Sequence, residues 1–140
     1  MKKMLTLLVV LGLAGCGTID KKEPPPMPFT GTKWQVVLEL PQPGEQPWVQ
    51  FGDGRMQGFG GCNRVGADYL QDSVGSRFIA MKRIELSGRV CESHVVAAER
   101  RILAVLQDVS SYAITADTMK MSGSAGTLVF KAVSAEAARR

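Results

Sequence analysis

Apolar side chains recur at every second position near the start of the charged middle of the chain, with Trp34, Val36, Leu38 and Leu40 falling on one side. Period two is the pattern of a strand with one buried face, predicted here over 32–40. Pro41-Gln42-Pro43-Gly44 stops it. The runs Trp48-Val49-Gln50-Phe51 and Arg55-Met56-Gln57-Gly58-Phe59 flank Gly52-Asp53-Gly54, and an Asp-Gly between apolar runs predicts a tight hairpin. Further short strands are predicted over 65–70, 76–81, 112–115, 118–122 and 127–132, divided by turn residues such as Asp72-Ser73-Val74-Gly75 and Ser122-Gly123-Ser124-Ala125-Gly126. Over 92–109 the period changes: Val95, Ala98, Ile102, Val105, Leu106 and Val109 recur at three and four, while Glu99, Arg100, Gln107 and Asp108 fall largely elsewhere. That is one amphipathic helix with Glu99 on its polar side. Ser93 is its candidate N-cap, although no glutamate or glutamine stands three residues on to complete a capping box. A single helix among about seven short strands excludes a doubly wound parallel sheet. The expected fold is α+β: one small domain in which a curved, mostly antiparallel sheet, a partial barrel, is packed with one amphipathic helix.

The N-terminus follows a different logic. Lys2 and Lys3 precede the apolar run from Met4 to Leu13, and Ala14-Gly15-Cys16 follows, which is the layout of an export signal. The run is shorter than the ~20 residues of a spanning helix. Leu13-Ala14-Gly15-Cys16 resembles a bacterial lipobox, which implies cleavage after residue 15 and a lipid-bearing Cys16 as the new N-terminus. Two or three acyl chains on one residue exceed what stable membrane anchoring requires. The membrane is thus an expected partner, met through a covalent lipid with no other cofactor. Gly17 stands where inner-membrane lipoproteins of many Gram-negative bacteria carry Asp. That similarity implies an outer-membrane location facing the periplasm. Residues 17–28, Gly-Thr-Ile-Asp-Lys-Lys-Glu-Pro-Pro-Pro-Met-Pro, are polar and proline-rich and are expected to be a tether, extending about 3.1 Å per residue. The folded part is expected over 29–133, with a tail at 134–140.

Charge and cysteine content change the picture in two ways. Lys2 and Lys3 leave with the signal, so the formal net charge falls from +4 to +2. The remaining bases are scattered with little aromatic interleaving, and no nucleic-acid footprint results. Lipidation consumes one of the three cysteines. Cys62 and Cys91 are left with each other in an oxidising compartment, which predicts a disulfide. Closing a loop of that length stabilises a small domain by ~3 kcal/mol on the chain-entropy estimate.

The segment from Gly54 to Leu70 holds Gly54, Gly58, Gly60, Gly61 and Gly66 around Cys62 and Asn63. A dinucleotide fingerprint needs glycines opening a helix, but Gly58-Phe59-Gly60 is followed three positions on by Asn63 and then by a strand pattern. Nucleotide binding is not expected. Nor is a metal site, since only Cys62, Cys91 and the single histidine, His94, are available as soft ligands. Glycines within strands mark bends and close backbone approaches. The stretch is read as architectural, with Asn63 either left-handed or tying a turn with its side chain. No nucleophile elbow accompanies His94, and Asp53 and Asp68 are read as turn residues, so no catalytic set is expected.

Phe51-Gly52-Asp53-Gly54-Arg55, Gly58-Phe59-Gly60-Gly61-Cys62-Asn63-Arg64, Tyr69, Cys91, Glu99, Leu103 to Leu106 and Leu128-Val129-Phe130, with Trp34 near the opening, resemble the META domain of HslJ-like bacterial lipoproteins. The Gly61-Cys62-Asn63-Arg64 core with a distant cysteine before a helix carries the likeness. Ser87-Gly88-Arg89-Val90-Cys91 stands where the family often shows a Thr-x-Met-x-Cys stretch. The resemblance implies no enzyme, an association with envelope stress, antibiotic tolerance or secretion, and a fold like that of pilotin lipoproteins, which bind hydrophobic tails. An envelope protein or hydrophobic peptide is therefore an expected partner. Trp48, Met56, Phe59, Met119 and Met121 are the residues expected to line an apolar groove for it, since thioethers adapt to varied apolar shapes.

Overall fold

Residues 17, 21–72 and 77–134 are described by the structure, a computed structural model. The expected signal at 1–15, Cys16, most of the turn at 72–75 and nearly all of the tail at 134–140 lie outside the described residues. In chain order the elements are β1 (Lys33–Val36), β2 (Trp48–Gly52), β3 (Arg55–Phe59), β4 (Arg64–Gln71), β5 (Ile79–Met81), β6 (Glu85–Leu86), α1 (Ser93–Gln107), β7 (Val109–Thr115), β8 (Thr118–Gly123) and β9 (Gly126–Ala132).

Each principal strand turns its apolar alternate inward. Trp34 and Val36, Val49 and Phe51, Met56, Val65 and Ala67, Ile79, Met119 and Met121, and Phe130 fill one continuous core. Their neighbours along the same strands face outward, as period two requires. Every strand pair is antiparallel, and the order across the sheet is β5-β4-β3-β2-β1-β9-β8-β7, with β6 also pairing β4. The two ends of this order meet again. Phe78 forms an antiparallel bridge with Ser111, and the Tyr112 N–H donates to the Arg77 carbonyl at 2.9 Å. The sheet thereby becomes a nearly closed barrel, which removes most of the unpaired edge that an open sheet leaves.

Both mouths are plugged. The registers put the β2–β3 turn, the start of β1 and the β7–β8 turn at one mouth. There the N-terminal segment is laid down by three hydrogen bonds: Met27 N–H to the Ala116 carbonyl (2.7 Å), Thr32 Oγ1 to the Pro28 carbonyl (2.6 Å) and Trp34 Nε1 to the Phe29 carbonyl (3.1 Å). Phe29 enters the aromatic cluster, stacked on Phe51 at 4.4 Å between centroids and packed on Tyr112 at 4.6 Å and Tyr69 at 5.9 Å. Burial in this cluster raises the Tyr69 phenol pKa. At the other mouth α1 lays Ile102, Val105 and Leu106 over β8, β9 and β5.

Asp53 and Gly54 both have positive φ, 52° and 73°, the signature of the predicted Asp-Gly hairpin. Elsewhere the elements differ from expectation. The first strand ends at Val36; beyond it the Val37 N–H crosses to the Val129 carbonyl, and Leu40 is 86% exposed. Ser93 does not cap the helix: the cap position is Glu92, in extended conformation and without a side-chain bond. The helix stops at Gln107 because the Asp108 carboxylate leaves it to accept from Ser124 Oγ (2.5 Å) and the Ala125 N–H (2.7 Å), bonds that lower its pKa. The two-residue β6 was not predicted, and Asp68 lies inside β4, paired with Arg55 at 3.0 Å, instead of in a turn.

Replacing Phe29 by Ala opens the first mouth. The expected loss is about 2 kcal/mol, below the range for a fully buried phenylalanine because the ring is half-buried. Urea unfolding of the variant, with an unchanged native circular dichroism spectrum, checks it.

Candidate functional site

The glycine-rich stretch folds into the β3–β4 turn at the mouth covered by the helix. Gly60 N–H donates to the Asn63 carbonyl at 2.9 Å, and Gly61 sits at φ +120°, a region that disfavours a side chain. Into this turn α1 projects Glu99, only 2% exposed. Glu99 Oε2 accepts from the Cys62 N–H (2.9 Å) and the Asn63 N–H (2.6 Å), while Oε1 accepts from Asn63 Nδ2 (2.6 Å). A Cβ on Gly60 would lie 2.7 Å from Glu99 Oε2, so the carboxylate needs glycine there. The position read as part of the helix's polar face is thus buried, its charge met by amide donors. Charge-assisted bonds of this kind are about twice as strong as neutral ones.

Asn63 joins three segments. Its Oδ1 accepts from the Arg89 N–H (2.7 Å) and Ser87 Oγ (3.2 Å), and Ser87 Oγ in turn accepts from the Arg64 N–H (3.1 Å). The side chain ties the turn; Asn63 is not left-handed. A disulfide links Cys62 to Cys91 at 2.08 Å, immediately before the helix. The structure therefore gathers Gly61, Cys62, Asn63, Cys91 and Glu99 in one latch, with the Ser87–Cys91 stretch as its outer strap. Both oxygens of Glu99 are thus committed to donors within the latch.

Arg64 points the other way, onto the outer sheet surface. Its guanidinium makes a bidentate pair with Glu45 (3.0 and 3.1 Å), lies 5.0 Å over the Phe59 ring and 5.9 Å from the Trp48 ring. Trp48 Nε1 also donates to Glu45 Oε1 at 2.7 Å; that bond, with Arg64 and Lys33, lowers the Glu45 pKa. Lys33 Nζ sits 4.4 Å from the Trp48 centroid.

The five residues expected to line one apolar groove are not brought together. Met56, Met119 and Met121 are fully buried in the barrel core. Trp48 and Phe59 pair across β2 and β3 and face outward, with Phe59 only 7% exposed beside Arg64. Strand alternation explains the split: Met56 and Phe59 are three apart, hence on opposite faces. An apolar groove does exist elsewhere, about 480 Å³, between the 38–43 segment and α1, lined by Leu38, Leu40, Pro41, Pro43, Val95 and Ala98 and bordered by His94 and Arg101. His94 itself is exposed, with Nδ1 3.3 Å from Glu92 Oε2. Among the described residues no three of His, Cys, Asp and Glu gather in a metal-holding group.

A small, nearly closed antiparallel barrel latched, among the described residues, to a single helix defines the structural class. The chain belongs to the META domain family, whose model matches residues 27–135. Among curated proteins none matches it. Of solved structures, an NMR structure of a protein from Burkholderia xenovorans is similar with TM-score 0.59 at 16% identity, covering 96% of this chain and 99% of that one. A second NMR structure is similar with TM-score 0.56 at 15% identity, covering 71% of this chain and 87% of that one. At these identities the likeness is one of fold.

Glu99→Ala leaves three donors without their acceptor and is expected to destabilise the oxidised protein by about 3 kcal/mol. Glu99→Gln should cost nearly as much, since its NH₂ must face a donor whichever way the amide is turned. Cys62→Ser with Cys91→Ser should remain folded and lose about 3 kcal/mol through the unfolded state. Urea denaturation of the three proteins checks the ranking, and a Gln variant as stable as the parent refutes the carboxylate latch.

Proposed function

We propose that this chain is a non-catalytic, lipid-anchored module of the bacterial cell envelope, held at the outer membrane facing the periplasm and serving there as an accessory, stress-related binding or stabilising domain. The observation that carries the reading is the Cys62–Cys91 bond. It uses both cysteines of the folded domain and suits an oxidising compartment. Cys16, at the end of the apolar leader, is then left for the lipid. The filled core and the committed lone pairs of Glu99 support a scaffold more than a reaction centre. Membership of the META family is consistent with this and adds no catalytic set.

A second reading, a pilotin-like chaperone holding an acyl chain or a hydrophobic peptide, is favoured by the groove between the 38–43 segment and α1. Leu40 stands almost fully exposed at this groove, where an apolar occupant would cover it.

Cys16→Ser should abolish acyl labelling and move the chain from the membrane to the soluble periplasmic fraction; unchanged fractionation contradicts the anchor. For the second reading, native mass spectrometry of the purified protein should detect a bound lipid or peptide that Leu40→Asp removes. A ligand-free parent protein excludes it.

A further inference from the structure

We propose that the proline-rich segment ahead of the barrel is a brace that lies along the outer face of β7 and β8 and turns this face toward a lipid bilayer. Two contacts place it. The Met27 N–H donates to the Ala116 carbonyl in the β7–β8 turn at 2.7 Å. Glu23, four residues earlier, borders a trough of about 450 Å³ together with Ala113, Thr115, Thr118 and Lys120. Register sets Ala113 opposite Lys120, well back from the turn. The segment therefore doubles back from the mouth along the strands.

The lengths agree with that path. Pro24, Pro25 and Pro26 fill the interval between Glu23 and Met27, and the four steps of a polyproline helix between those two residues span about 12 Å. From Ala116 back to Ala113 the strand covers about 10 Å. Proline has no N–H to offer a sheet edge, so such a run cannot add as a further strand. It suits a sheet face, and the small side chains of Ala113, Thr115 and Thr118 leave room for it there.

Connectivity selects the partner, and this step rests on the lipid-anchor reading above. Only five residues separate Cys16 from Lys21, a reach of at most about 18 Å even when fully extended. Were the segment free as far as Pro28, the reach would be about 43 Å. Docking thus holds the β7–β8 face beside the headgroups. Charge does not oppose this: the segment and the face beneath it carry Lys21, Lys22 and Lys120 against Asp20 and Glu23, and Asp117 is paired with Lys131 at 2.8 Å. Around the barrel β3 stands four places from β8 and β2 four places from β7. The outer face of β2 and β3, where Gln57 is exposed, therefore looks away from the bilayer.

With Cys16 lipidated and Cys62 bonded to Cys91, one added cysteine carries a probe. In the detergent-solubilised full chain, a nitroxide at Lys22→Cys is expected to bleach the amide resonances of Ala113 and Lys120 and to spare that of Gln57. On vesicles of phosphatidylethanolamine and phosphatidylglycerol, a fluorophore at Ser111→Cys, exposed on β7, is expected to be quenched by headgroup nitroxides more strongly than one at Gln57→Cys. Met27→Pro combined with Ala113→Gln removes the N–H donor and fills the trough. It should let the Ser111 site move up to roughly 20 Å further from the headgroups and erase the difference between the two sites, with an unchanged circular dichroism spectrum. Unbleached resonances at Ala113 and Lys120 overturn the docking. Equal quenching of the two sites in the parent, or a difference that the double variant keeps, overturns the orientation. Protein that fails to float with the vesicles refutes the anchor reading and the orientation with it, while the bleaching at Ala113 reports the docking separately.

Discussion

A carboxylate taken out of water must be matched locally, and in this protein the match at Glu99 dictates the conformation of everything around it. Several kcal/mol of lost hydration are offset only if the oxygens meet donors at good geometry. Here two of the three donors are backbone amides of one tight turn, and the third is the side chain of Asn63. The turn therefore has one shape that works, and Gly60 and Gly61 are the residues that allow it. Asn63 passes the constraint outward, because its carbonyl oxygen holds the 87–89 strap while its amide holds the helix. Helix position, turn and strap become one unit.

The disulfide acts on the same unit by different physics. It removes conformations from the unfolded chain, whereas Glu99 stabilises the folded arrangement. Cys62 sits in the latch whether or not its sulfur is bonded, since its own N–H is one of the donors. The two devices are therefore complementary. At the opposite mouth the plug is aromatic: Phe29 completes a ring cluster, and its backbone carbonyl accepts from the core tryptophan. One end of the barrel is fixed by polar geometry and the other by apolar shape.

Period-two alternation made the long strands legible, because each buries one face against a common core, and Asp53-Gly54 announced its hairpin. The α+β class and the single helix followed from the change of period alone. What stayed hidden has a common cause: pairing partners are set in three dimensions. Leu38 and Leu40 continue the alternation of β1 but leave the barrel, so their pattern described a groove wall and not a strand face. β6 is two residues long and exists only because Val65 and Gly66 offer an edge. Glu99 was misread by the helical pattern, since polarity at that position normally means solvent; the family likeness included it without saying why. A buried acid becomes visible only when the turn that satisfies it is seen. The methionines erred in the opposite sense, their adaptability suggesting a groove when their alternation with outward residues placed them in the core.

That alternation also separates two surfaces of different character, the groove beside α1 and the outer face of β1–β3. The groove beside α1 is walled on one side by the irregular 38–43 segment, so an occupant there must order or displace part of its own wall. The outer face of β1–β3 is carried on paired strands whose inner side chains are among the most buried in the molecule. Side chains on such a sheet keep their mutual spacing, because folding has already ordered the strands that carry them. A preorganised surface of this kind pays little to meet a partner, whereas the groove wall must be ordered on contact. The same barrel thus offers one surface suited to register and another suited to adaptation.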